Sequence, residues 1–336
     1  MTPTATDTRG TPPASGVGDR SPTVSFVMPA WKRRFFERAV ESVLSQTFRD
    51  FELVVVDDAS PEGLEDVARR FGDPRIRYFR NAENIGGRDL SAAWNAAMKK
   101  ARGRFAVLAS DDDEYRPEYL AEMMSLVERF PAAGVYHCRV EYIDAEGRAH
   151  GQSELRAPFE TGAEFLYNRG VRRMKQCAPE FMFRTEDLRA AGGFFSSPRA
   201  WYSDDATWMT LARSGGAAYS PLALLRWRDS GENVSAVFTD VYDKLRAAAE
   251  FRPWVHGLIR SFQATSPGDA AILARADREI DGAIDHLAMW VFRNARLADA
   301  MRALWRLDPG PRLRLAYGMP VAALRRLAEI AVGKRK

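Results

Sequence analysis

The stretch Phe105–Tyr115, FAVLASDDDEY, ends a short apolar run in three aspartates and a glutamate. Acidic residues after a strand ordinarily form a solvated turn that caps the next helix, and Pro117 suits a first helical turn. Whether these carboxylates are turn or site depends on how the run repeats along the chain. Comparable apolar runs stand at Val24 (VSFVM), Glu52 (ELVVV), Ile76 (IRYF) and Val135 (VYHCRVEYI). Between them, 36–45, 64–71, 90–101 and 117–130 carry apolar residues at the three- and four-residue spacing of helices. This βαβα alternation predicts an α/β fold with a mostly parallel sheet and helices on both faces. Unbroken apolar strands suit burial on both sides. After Tyr142 the pattern loosens, then resumes with a helix near Thr161, the apolar segment CAPEFMF, a turn at AAGGF, a helix over about 204–214 and the stretch LALLRW.

A second strand also ends in an acid pair, VVVDDAS, with Asp57 and Asp58. Open parallel sheets bind ligands outside the carboxyl ends of their strands. Carboxylates gathered on one rim repel each other unless a cation or hydrogen-bond donors are bound. Oxygen ligands of this kind suit Mg²⁺ or Mn²⁺, held by one or two carboxylates plus substrate phosphates. GxxxxGK[ST] is absent, and NIGGRD is not a GxGxxG loop opening a helix after the first strand, so phosphate handling falls to metal rather than to a glycine cradle. His137, His150, His256 and His286 have no zinc spacing. Cys138 and Cys177 lack CxxC spacing and read as ordinary thiols of a reducing compartment.

The first 22 residues are rich in Thr, Pro and Gly without an apolar stretch, which predicts a disordered tail and no signal peptide. No run reaches the length a membrane-spanning helix needs, so a soluble, cytoplasmic protein is expected. Net charge is +4, yet residues 291–336 hold eleven Lys or Arg against three Asp or Glu. The final helix pattern, MPVAALRRLAEIAVGKRK, sets apolar residues on one side and leaves Arg325, Arg326 and the last KRK for anionic lipid at the inner membrane face. A helix packed on the core or on a partner explains it equally. The basic excess sits in one tail without a recognised motif, which argues against nucleic acid.

Five motifs in order, VSFVMPAWKRRFFERAVESVLSQTFRDFELVVVDDASPEG, NAENIGG, RGRFAVLASDDDEYRPEYL, AGGFF and SDDATWMTLARSG, resemble the family 2 inverting glycosyltransferases of GT-A fold, a Rossmann-like architecture, over about residues 24–235. The resemblance implies a GT-A domain over 23–238, followed by a helical, basic C-terminal region over 239–336. It implies a nucleoside-diphosphate sugar donor, a UDP-sugar first, a glycan or lipid-linked hydroxyl acceptor, and a divalent metal. Carried over by position, Pro29, Ala30 and Trp31 contact the base, and Asp58 binds it. Gly86 is placed with the donor, and Arg88, after Asn84 and the Gly86–Gly87 turn, stands within reach of the diphosphate, a plain surface arginine being the equal alternative. The Asp-x-Asp motif, counted back from Pro117, falls on Ser110, Asp111 and Asp112. With a serine in first place, Asp111 is assigned to the ribose and Asp112 to the metal. The rival register pairs Asp111 with Asp113. Asp204 is the implied general base, with Asp205 as the other candidate and a helix N-cap as its plain structural role. Ser230 stands where many relatives have a metal-assisting histidine.

Two other readings stay open at this point. A sugar-nucleotide pyrophosphorylase would want a glycine-rich loop after the first strand, which MPAWKRR is not. A GT-A domain without turnover, serving as a binding or partner subunit, is compatible with Ser110 and Ser230.

Overall fold

The computed structural model describes residues 21–231, 233 and 240–306. Residues 1–20, part of the loop after Ser230 and the basic segment from 307 onward lie outside the described residues, and with them most of the N-terminal tail and the C-terminal lipid-facing helix expected from the sequence.

The first half follows the expected alternation. Strands β1 (Val24–Ala30), β2 (Phe51–Asp57), β3 (Ile76–Arg80) and β4 (Phe105–Leu108) are parallel, in the order β3-β2-β1-β4. Helices α1 (Phe36–Leu44), α2 (Leu64–Arg70) and α3 (Leu90–Met98) connect them. Asp89 caps α3 by accepting from the Ala92 N–H, which fixes where the NIGG loop ends. After β4 come the short β5 (Glu114–Tyr115), α4 (Tyr119–Arg129), β6 (Val135–Ile143), β7 (Ala149–Gln152) and β8 (Phe159–Glu160). α4 begins two residues past Pro117, not on it.

The helix expected near Thr161 is α5 (Gly162–Leu166), opened by a capping box between Thr161 and Glu164 and continued by one π-helical turn, Tyr167–Val171. The FMFR segment becomes β9 (Phe181–Arg184), inserted between β4 and β6 and antiparallel to both. A four-residue apolar run states burial but not direction, so only the sheet reveals this insertion. Then follow α6 (Thr185–Ala190), α7 (Ser203–Gly215) and β10 (Ala217–Arg228), which pairs parallel with β6. Its register breaks after Ser220, where Pro221 has no N–H to give the ladder.

Both faces are covered. α1, α2 and α4 bury Phe36, Val40, Val67 and Leu120 against Phe26, Leu53 and Val55 on one face. The other face carries Val27, Val54 and Ala106 into a larger core with Phe165, Trp208 and residues of the C-terminal helices α8 (Val241–Ser261), α9 (Pro267–Asn294) and α10 (Leu297–Arg306). Those helices therefore complete the main core. Among the described residues no helix is long and apolar enough to cross a membrane.

Candidate active site

Two carboxylates at the end of β2 divide the work. Asp57 is fully buried and structural: Oδ2 accepts from Tyr78 and Arg80, and Oδ1 from the Ser60 N–H at 2.6 Å. Asp58 turns the other way and organises the loop before α3. Its Oδ1 accepts from Asn81 Nδ2 at 2.7 Å and the Ile85 N–H at 3.0 Å, and its Oδ2 from the Gly86 N–H at 2.7 Å. A Cβ on Gly86 would stand 3.1 Å from Asp58 Oδ2, so any larger residue there would have to push that carboxylate aside by a few tenths of an ångström. Asp58 Oδ2 still has acceptor capacity for a ligand. Arg88 leaves this network: it pairs with Glu83 at 3.0 Å with its side chain 76% exposed.

The acidic run beyond β4 sits against the end of β1. Asp111 Oδ2 accepts from the N–H groups of Trp31 (2.8 Å) and Lys32 (2.9 Å), joining the two strand ends that the sequence assigned to one ligand. Pro29 and Ala30 lie within β1 and Trp31 follows it with a half-exposed indole, so these three residues border the same rim. Burial raises the Asp111 carboxyl above the ordinary range. Asp112, beside it, is pushed up to about 6 by burial and by the charge of Asp111. Asp113 is 1% exposed, and its Oδ1 accepts from the Arg228 N–H at 2.8 Å. Among the described residues its Oδ2 is buried without a hydrogen-bond partner.

Arg228, given no role by the sequence, holds this loop. It is completely buried at the end of β10, with Nε donating to the Asp112 carbonyl (2.9 Å), one Nη to the Asp144 carbonyl (3.1 Å) and the other to Glu114. Its guanidinium lies 4.4 Å from the Phe35 ring centre. The WRD triplet closing an apolar stretch was the available signal. Ser230, two residues on, is bonded to Asn233 through its N–H (3.1 Å).

The second acidic pair opens α7. Asp205 is buried and locked: Oδ1 accepts from Arg169 Nε and from Gln176 Nε2 at 3.3 Å. Asp204 makes no ion pair among the described residues, and its carboxyl is pushed up to about 7 by burial and by the charge of Asp205. Tyr202, just before the helix, has φ 69°, and Arg199 and Ala200 also have positive φ, a strained approach of the kind that accumulates at functional sites. α8 clasps this approach, with Phe251 stacked on Tyr202 at 4.3 Å and Asp240 bonded to Arg199 Nε at 2.9 Å. The segment before β9 links the two acidic groups: Gln176 touches Asp205, and the Pro179 carbonyl accepts from Tyr115, two residues beyond Asp113.

Residues 25–190 match the model of Glycosyl transferase family 2. Those residues belong to that family. One curated relative, the putative colanic acid biosynthesis glycosyl transferase WcaA of Escherichia coli K12, is 36% identical over 129 residues, covering 36% of this chain and 45% of that protein. The chain thus matches less than half the length of that relative. Among solved structures, S. aureus TarS in complex with UDP-GlcNAc superposes with a TM-score of 0.59 at 16% identity, over 89% of this chain and 80% of that one. A mannosyltransferase of Pyrobaculum calidifontis, in complex with GDP-Man and Mn²⁺, gives 0.53 at 20% identity, over 91% and 81%. The fold is GT-A, with the helical C-terminal region included in both superpositions.

Proposed function

We propose that this chain is an inverting glycosyltransferase that moves a sugar from a nucleoside-diphosphate donor, a UDP-sugar in the first instance, to a hydroxyl acceptor in cell-surface glycan assembly. The observation that carries the reading is the split within each acidic group. Asp205 is consumed by Arg169 and Gln176, and Asp113 is anchored through one oxygen by the Arg228 N–H while burial raises its carboxyl too; Asp112 and Asp204, also raised, make no ion pair among the described residues. Structural acids are paired; these two are poised for a ligand and a proton.

Burial of Asp113 favours Asp111 and Asp112 over the rival register. In this reading Asp111, fixed by two backbone N–H groups, lies against the ribose, and Asp58, Pro29, Ala30 and Trp31 border the base. Asp112 would hold the divalent ion. The residues fit a hard cation: two crowded carboxylates raised by burial, and the partnerless Oδ2 of Asp113 beside them. Among the described residues no three His, Cys, Asp or Glu side chains converge as a metal cage, so donor phosphates complete such a site. When bound, the ion supplies charge stabilisation to the departing diphosphate.

The chain's own part is proton removal and orientation. The acceptor oxygen forms its bond to the anomeric carbon as the bond from that carbon to the β-phosphate oxygen breaks. The acceptor's proton passes to Asp204, and one displacement inverts the centre. Support for a glycan acceptor comes from the polysaccharide-biosynthesis name of the relative. A lipid-linked acceptor at the inner membrane face is consistent with the basic C-terminal segment.

The test is calorimetric titration of UDP, GDP and dTDP with and without Mn²⁺ into wild type and Asp112→Asn. Metal-dependent binding of one nucleotide, lost in the variant, supports the donor site. A folded protein that binds none of them under any condition refutes a transferase and favours a binding subunit.

A further inference from the structure

The acidic pair that opens α7 has one member too many for a single proton transfer, and the surplus member is the better held. Asp205 accepts from Arg169 Nε and Gln176 Nε2 through one oxygen, while Arg173 Nη1 stands 3.9 Å from the other. Arg169 is itself fixed from behind. It lies in the single π-helical turn after α5, a rare local geometry that recurs at functional sites. Its Nη1 donates to the Met174 carbonyl at 2.9 Å. The same turn is pressed against α9: a Cβ on Gly170 would meet Ile280 Cδ1 at 2.9 Å, and Tyr167 donates to Glu279 at 2.8 Å. A chain of contacts therefore runs from α9 through Arg169 to the first turn of α7.

Resting on the proposed role of Asp204, we infer that Arg169 and Asp205 are positioning residues for the base. Their buried ion pair pins the opening turn of α7, aims the neighbouring Asp204 carboxylate, and sets by its charge balance the pH at which that carboxylate becomes able to accept a proton. Charged and titratable groups face Asp204 from several elements. Asp205 lies on its own helix and Tyr202 just before it; Arg169 and Arg173 come from the π turn and the loop after it, with Glu180 acting on Arg169 from behind. Asp205 opposes ionisation of Asp204, and Arg169 favours it. The two effects partly cancel only while both partners are present.

Asparagine at 205 separates position from charge. Its Oδ1 can accept the same two N–H groups, so the turn keeps its anchor while the negative charge disappears. The experiment is a ¹³C carboxyl titration of the full chain labelled at aspartate, with the Asp204 resonance identified by its absence in Asp204→Asn. It is run on wild type, Asp205→Asn and Arg169→Gln, alongside UDP release from UDP-GlcNAc, UDP-glucose and UDP-galactose across pH. The Asp204 midpoint is expected to fall by about one pH unit or more in Asp205→Asn and to rise in Arg169→Gln, where only the opposing charge remains. The acid limb of UDP release should follow the same displacements. An Asp204 midpoint unmoved in Asp205→Asn, with that variant folded, overturns the inference even if Arg169→Gln fails to fold. Undiminished UDP release by Asp204→Asn would instead defeat the assignment of the base, and the two failures are told apart by that single variant.

Discussion

Replacing Asp204 by asparagine should make the protein more stable and less active at the same time, and the stability gain should depend on pH. The native carboxyl is pushed up to about 7 by burial first and the charge of Asp205 second, against ~3.9 in an unfolded chain. Above pH 7 the native state therefore carries a charged group that would rather be in water, at a cost of at most ~4 kcal/mol. As pH falls through 7 the native carboxyl takes up its proton before the unfolded one does, so the cost shrinks. It vanishes only below about pH 3, where both states are protonated. Asparagine is neutral throughout, so Asp204→Asn should exceed wild type in Tm by several degrees at pH 8, by less at pH 6, and by almost nothing near pH 4. Loss of the base should lower kcat by ~10²–10⁴-fold. Differential scanning calorimetry at the three pH values, with UDP release measured at pH 8, checks both halves. A Tm equal to wild type at pH 8, or a difference that does not shrink on acidification, refutes the claim that this carboxylate is held desolvated and unpaired.

Asp112→Asn should fold normally and lose the Mn²⁺-dependent part of nucleotide binding, read by calorimetry as equal affinity with and without the ion. Arg228→Met should lower stability by ~3–5 kcal/mol in urea unfolding, because it strips the carbonyls of Asp112 and Asp144 of their donor and leaves Glu114 short of one partner. Lysine should not rescue it, lacking the planar fork that reaches several acceptors at once. Phe251→Ala should cost ~3–5 kcal/mol and also reduce kcat, since the ring stacks on Tyr202 next to Asp204. A stability loss with kcat unchanged would separate α8 from the site.

What the sequence disclosed and what it withheld divide along a physical line. Strand ends in VVVDDAS and VLASDDD are local patterns, and a buried apolar run followed by acids is legible wherever it occurs. Which acid is structural is not local. Asp57 is settled by Tyr78 and Arg80, Asp113 by Arg228 across 115 positions, and Asp205 by Arg169 from a π turn that no periodicity announces. Arg88 is open in the sequence between a phosphate contact and a plain surface arginine, and the ion pair that it makes with Glu83 is no local pattern either. Direction escaped as well, since FMFR reads alike whether β9 runs with its neighbours or against them.

The C-terminal helices carry the same lesson to the level of domains. Their apolar positions predicted helices but not a surface to cover, so the region read as an appendage. In the fold, Phe251, Val255 and Ile280 belong to the same core as Trp208 of α7. α8 stacks on the strained residue before Asp204, and α9 backs the turn that bears Arg169. Asp204, the proposed base, makes no ion pair among the described residues that could fix it. Its position has to come from its neighbours, and here those neighbours are held by helices that the motif pattern does not include.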